Sequence, residues 1–135
     1  MRTDAEIESL VRGFEDGTLP KSQWTHGAHL AVALWYLRRH PRGEAEEKVR
    51  EGIRAYNLRQ GNTRGYHETI TRAWVAVVAC FLAEHDRGQT LAELAGALVG
   101  ECGEPGYLFR FYTRGVLWSD EARRAWVPPD VRPIG

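Results

Sequence analysis

Cysteine, lysine, serine and long apolar runs are what this chain of 135 residues has least of. Its two cysteines, Cys80 and Cys102, stand far apart and are too few to staple a secreted domain. Cys80 falls in an apolar helical pattern, where a thiol behaves as a small buried hydrophobe. Cys102, in Glu101-Cys102-Gly103-Glu104, has no basic neighbour in sequence to activate it. Lys21 and Lys48 are the sole lysines, and 18 basic residues are balanced by 18 acidic ones, so the basic excess of a nucleic-acid binder is missing. Three serines occur, none within G-x-S-x-G, and no Lys-Ser or Lys-Thr follows the Gly61 to Gly65 loop. That excludes a nucleophile elbow and a P-loop. No apolar run is long enough to span a bilayer, and the first residues lack the apolar stretch of a signal peptide. A soluble, cytoplasmic protein is expected, with neither nucleic acid nor membrane as partner.

What the chain does have is helical periodicity. Thr3 and Glu6 make a capping box ahead of Ile7, Leu10, Val11 and Phe14, and Asp16-Gly17 ends that first helix. A second helix starts near Ser22 to Thr25, carries Leu30, Ala33, Leu34 and Leu37, and stops before Pro41. A third, with Glu44, Glu46 and Glu47 in its first turns, has a narrower stripe of Val49, Ile53 and Tyr56 and is expected to cover the bundle from outside. The fourth, from about His67 to Glu84, is apolar around most of its girth and is expected at the centre. Thr90 and Glu93 open a shorter helix, Gly100 to Gly106 reads as a loop holding Cys102, and Ser119 caps one more short helix. The pattern predicts an all-α single-domain bundle over residues 1–126. It comprises about four core helices plus short C-terminal ones, followed by an extended tail over 127–135.

Two segments hold three of the five histidines: W-T-H-G-A-H-L from Trp24 to Leu30 and G-Y-H-E-T-I-T from Gly65 to Thr71. Both sit where a loop turns into a long apolar helix. His26 and His29, three residues apart, share a helix face, and His67 from a neighbouring helix would complete a tripod for a divalent metal. Zinc, nickel, iron and copper all accept imidazole ligands, so the pattern does not choose among them. Glu68 follows His67 as in the zincin H-E-x-x-H, but Thr71 stands where the second histidine belongs, so the chain is no zincin. Glu68 is the candidate general base on a metal-bound water, with a fourth-ligand role and a helix-terminus charge as its other readings. Glu15 and Asp16 are spare carboxylates that could close the metal's shell. Tyr36, Tyr66, Trp24 and Trp74 would flank the site. Arg110 and Arg114, together with Arg64, would hold an anionic substrate group, so Tyr36, Tyr66, Arg110 and Arg114 are the candidate substrate-binding residues. His40 and His85 end helices and read as structural.

These motifs, with the later L-W-S-D-E-A-R-R-A-W-V-P-P-D, resemble an uncharacterised family of small bacterial helical proteins over nearly the whole chain. The resemblance implies no particular reaction. A weaker likeness is to helical-bundle thiol transferases with a three-histidine metal site, in which a single histidine precedes an H-x-x-x-H pair; here H-x-x-H comes first. The expectation is a small metalloenzyme acting on a small molecule by metal-activated water or redox chemistry. The alternative is a non-enzymatic ligand-binding or interaction module whose histidines are structural. A homodimer is left open.

Overall fold

The protein is described by a computed structural model over residues 2–135. Seven α-helices are joined by short turns, and no strand occurs among the described residues. Helix α1 (Asp4–Asp16) opens on the expected capping box, with the Thr3 hydroxyl accepting from the Glu6 amide and the Glu6 carboxylate from the Thr3 amide. It buries Ile7, Leu10, Val11 and Phe14. Gly17 ends it at φ 78°, a left-handed conformation that disfavours any residue with a Cβ.

A 3₁₀ turn over Lys21–Gln23 leads to α2 (His26–Arg39), capped by Thr25 on the Ala28 amide. Pro41 separates it from α3 (Arg42–Arg59). In α3 the buried set is narrow, Ala45, Val49 and Tyr56, which fits a helix lying on the outside. Gly52 sits hard against Phe14 of α1, and a Cβ there would stand 2.6 Å from the ring. The Tyr56 hydroxyl donates to the Leu19 carbonyl at 2.7 Å and pins the α1–α2 connection onto α3.

Helix α4 (Glu68–His85) buries nine residues and shares the centre with α2. The central pair packs along its length, with α1, α3 and α5 (Leu91–Cys102) around α2 and with α3, α5 and α7 (Asp120–Arg124) around α4. The α5 helix runs further than its sequence pattern suggests: Cys102 is its last residue and is buried, not in a loop. Gly100 is exposed on its outer side, while Leu98 and Cys102 bury one face of the last turn.

A 3₁₀ turn over Tyr107–Arg110 and α6 (Arg114–Leu117) precede α7, and together they close over the start of α4. Thr69, fully buried, organises that closure: its hydroxyl donates to the Ala125 carbonyl and accepts from the Val127 amide. The tail beyond is extended but docked. Asp130 accepts from the Thr113 amide and hydroxyl, Val131 bonds the Phe111 carbonyl, and Ile134 packs on the core. No helix among the described residues is long and apolar enough to cross a membrane.

Candidate ligand cavity

The two histidine segments do converge, on a cavity of about 270 Å³. Trp24, His29 and Ala33 form one wall, and Val49, Ile53 and Asn57 of α3 a second. The third comes from Tyr66, His67, Ile70, Thr71 and Trp74 at the start of α4. The site lies there because the N-terminal turns of α2 and α4 meet beneath the outer helix α3, and the 60–66 loop edges it. That loop is held by Asn62, whose side-chain oxygen accepts from the amides of Arg64 and Gly65. A Cβ on Gly65 would meet the Asn62 side chain, so a larger residue there would push Asn62 out of this turn.

The three histidines play three different parts. His67 is the N-cap of α4: its Nδ1 accepts from the Ile70 amide at 3.0 Å, and its Nε2 donates to the Leu117 carbonyl at 2.8 Å. A carbonyl only accepts and an amide only donates, so the ring is fixed as the neutral Nε2–H tautomer with both nitrogens occupied. Burial lowers its pKa, which keeps it neutral.

His29 stacks on Trp24 with ring centroids 3.8 Å apart, and its Nδ1 donates to the Thr25 carbonyl at 2.7 Å. That bond fixes the opposite tautomer and leaves Nε2 as a bare lone pair on a residue of the cavity wall. Burial lowers the His29 pKa as well, with a smaller contribution from nearby His26. His26 packs edge-on against Trp74 at 4.7 Å, and its buried Nε2 has no hydrogen-bond partner.

The tripod expected from the sequence is thus not assembled. Among the described residues no three His, Cys, Asp or Glu side chains stand together as a metal would need. His67 could ligate only by surrendering its cap on α4 or its bond to Leu117.

Glu68 lies off the cavity wall, in an ion-pair hub between α3 and α4. Arg50 grips it with two bonds, Nε at 3.1 Å and a terminal nitrogen at 2.7 Å. Tyr66 donates to it at 2.5 Å, Arg54 approaches at 3.4 Å and Arg72 at 3.8 Å. Burial by itself pushes the carboxyl up, but the bonds from Arg50 and Tyr66 and the surrounding positive charge outweigh it and hold the pKa below its usual value. A carboxylate so occupied is a poor general base. Of the three readings the sequence leaves for it, the geometry favours structural charge at the start of α4.

The remaining candidates divide. Tyr66 lines the cavity, as do Trp24 and Trp74. Its hydroxyl, bonded to Glu68 and pushed up to about 12, acts as a structural donor. Tyr36 points elsewhere, donating at 2.5 Å to Glu15 of α1. Asp16, the other spare carboxylate, is bonded to Thr18. Arg110 lies over the Tyr107 ring and Arg114 over Phe109, and neither lines the cavity. Asn57 is the wall residue that sequence reading misses. Its signal is a polar residue continuing the Val49 and Ile53 stripe one turn further.

The fold is an all-α helical bundle with a cavity at the meeting of two helix N-termini. No protein-family model, no curated protein and no solved structure matches the chain.

Proposed function

We propose that the chain is a small-molecule-binding domain. Its cavity takes a compact, largely apolar molecule of one or two rings, with an N–H or O–H of that molecule bonded to Nε2 of His29. The observation that carries this reading is the His29 lone pair: oriented by the Thr25 carbonyl, braced by Trp24, neutral through burial, and set in a wall that is otherwise mostly apolar. Pockets of this composition bind through apolar contact and use a few convergent polar groups to fix orientation. An apolar cavity of about 150 Å³ accepts benzene, so about 270 Å³ suits a bicyclic molecule. Asn57 supplies a second polar contact across the cavity.

A divalent metal is the competing occupant. An imidazole whose Nδ1–H bonds a backbone carbonyl presents Nε2 in the manner of metal-bound histidines, and His29 is the one of the three so arranged.

Ligand-observed NMR with a set of one- and two-ring fragments tests the reading. Fragments bearing a ring N–H should bind native protein. They should bind His29→Ala about tenfold more weakly, in line with the loss of one hydrogen bond. Ile53→Phe, which fills the cavity from α3, should abolish binding. Indifference to both substitutions would sink the proposal. A stoichiometric transition metal in untagged protein, absent from His29→Ala, would make the metal the occupant instead.

A further inference from the structure

Next to the cavity lies a broader groove of about 570 Å³, lined by Thr63, Arg64, Tyr66, Arg123 and Arg124. Tyr66 is a wall of both, so the two concavities adjoin across one ring. The three arginines are exposed. None makes an ion pair with a carboxylate among the described residues, whereas seven of the nine ion pairs elsewhere involve an arginine. In a chain whose charges cancel, three uncompensated guanidinium groups in one concavity are a local departure from neutrality. The acidic residues of the same short helix, Asp120 and Glu121, occupy its first turn and do not line the groove. The arrangement is also held in place: Arg123 donates to the Arg64 carbonyl at 3.2 Å, tying α7 to the 60–66 loop, and Asn62 fixes the Arg64 amide. The sequence pairs Arg64 with Arg110 and Arg114 as an anion site; the structure pairs it with Arg123 and Arg124.

Resting on the cavity reading above, we infer that the ligand is an organic anion. Its ring lies in the cavity, and its oxyanion group, a carboxylate or phosphate, passes Tyr66 to be held by Arg64 and Arg124. Guanidinium groups are suited to such oxyanions because their planar donor fork meets two oxygens at once. A neutral ring compound would leave the groove unused, and a free inorganic anion would leave the cavity unused.

The test compares indole with indole-3-acetate, the same ring system without and with a carboxylate, by calorimetric titration. The variants are Arg64→Gln/Arg124→Gln, which leaves the structural Arg123 in place, and Ile53→Phe. Native protein should bind the acid roughly tenfold or more tightly than indole. The double variant should erase that advantage while leaving indole affinity unchanged, and rising salt should shrink it in native protein. If indole binds but the acid binds no better, or if its advantage survives in the double variant, the anion inference fails and the cavity reading stands. If neither probe binds, or if the acid binds Ile53→Phe as well as native protein, the cavity reading fails and this inference with it.

Discussion

The N-terminal turns of α2 and α4 are chemically alike and structurally opposite. Each begins with a loop, presents an imidazole near the first turn, and borders the same cavity. At α4, under the covering segment from α6 to α7, every polar atom of His67 is matched to a backbone group. At α2, a threonine does the capping, and His29 is left with one nitrogen bonded and one bare. The difference lies in what stands opposite. Where another part of the chain brings a carbonyl to the second nitrogen, the histidine becomes a strut. Where a cavity lies there, the second nitrogen stays bare, and it is the group on which the proposed ligand contact rests.

The largest test of this contrast is His67→Ala. It removes the cap on Ile70 and leaves the Leu117 carbonyl without its donor, so it should destabilise the protein by about 2–4 kcal/mol in urea unfolding. His67→Asn restores a side chain that caps well but cannot span to Leu117, and should recover about half of the loss. A loss below about 1 kcal/mol for the alanine variant would mean that His67 is not the strut described here.

The contrast also explains what could be read in advance. Helix starts and the break at Pro41 were legible because they are local, while the end of α5 was not: Thr3 with Glu6, Thr90 with Glu93, Ser119 on Ala122, and the Pro41 break each involve residues within four positions. That His29 and His67 border one cavity depends on α2 and α4 packing with their N-termini at the same end, which no local pattern dictates. The roles were not legible either. His67 finds its acceptor at Leu117, fifty positions away, and Glu68 finds Arg50 and Arg54 on another helix. No spacing rule places those partners, so adjacent His67 and Glu68 look like a catalytic pair when one is a cap and the other an ion-pair hub.

Glu68→Gln sharpens the second half of that statement. The glutamine keeps the shape and the Tyr66 contact but removes the charge that faces Arg50, Arg54 and Arg72. These partners are partly exposed, which limits the loss to about 1–2 kcal/mol. The Glu68 carboxyl titrates below its ordinary 4.5 in the folded protein, so its contribution is complete above that value and is lost as pH falls through the lowered folded pKa. The native-minus-variant stability difference should therefore hold at neutral pH and shrink below about pH 4. Ligand affinity at pH 7 should be unchanged, because Glu68 is off the cavity wall. A large loss of affinity would return Glu68 to the site.

The smallest effect on stability should come from His29→Ala. The Thr25 carbonyl it releases still accepts the residue 29 amide at 3.0 Å, so the main loss is the stack on Trp24, about 0.5–1 kcal/mol. Its signature is in pH dependence. His26, His29 and His67 all titrate below their ordinary 6.5 because burial disfavours imidazolium. Above about pH 6.5 neither state of the protein carries these protons. As pH falls below it, the unfolded chain takes them up before the folded one does, and stability falls until the folded pKa values are reached. Urea midpoints should decline from about pH 7 to pH 5.5, and His29→Ala should flatten that decline. A bound ligand whose donor faces Nε2 should steepen it, because protonation would put a hydrogen where the ligand's own must lie. If His29→Ala costs as much stability as His67→Ala and ligand leaves the slope unchanged, the two histidines are struts alike, and the bare nitrogen has no ligand to hold.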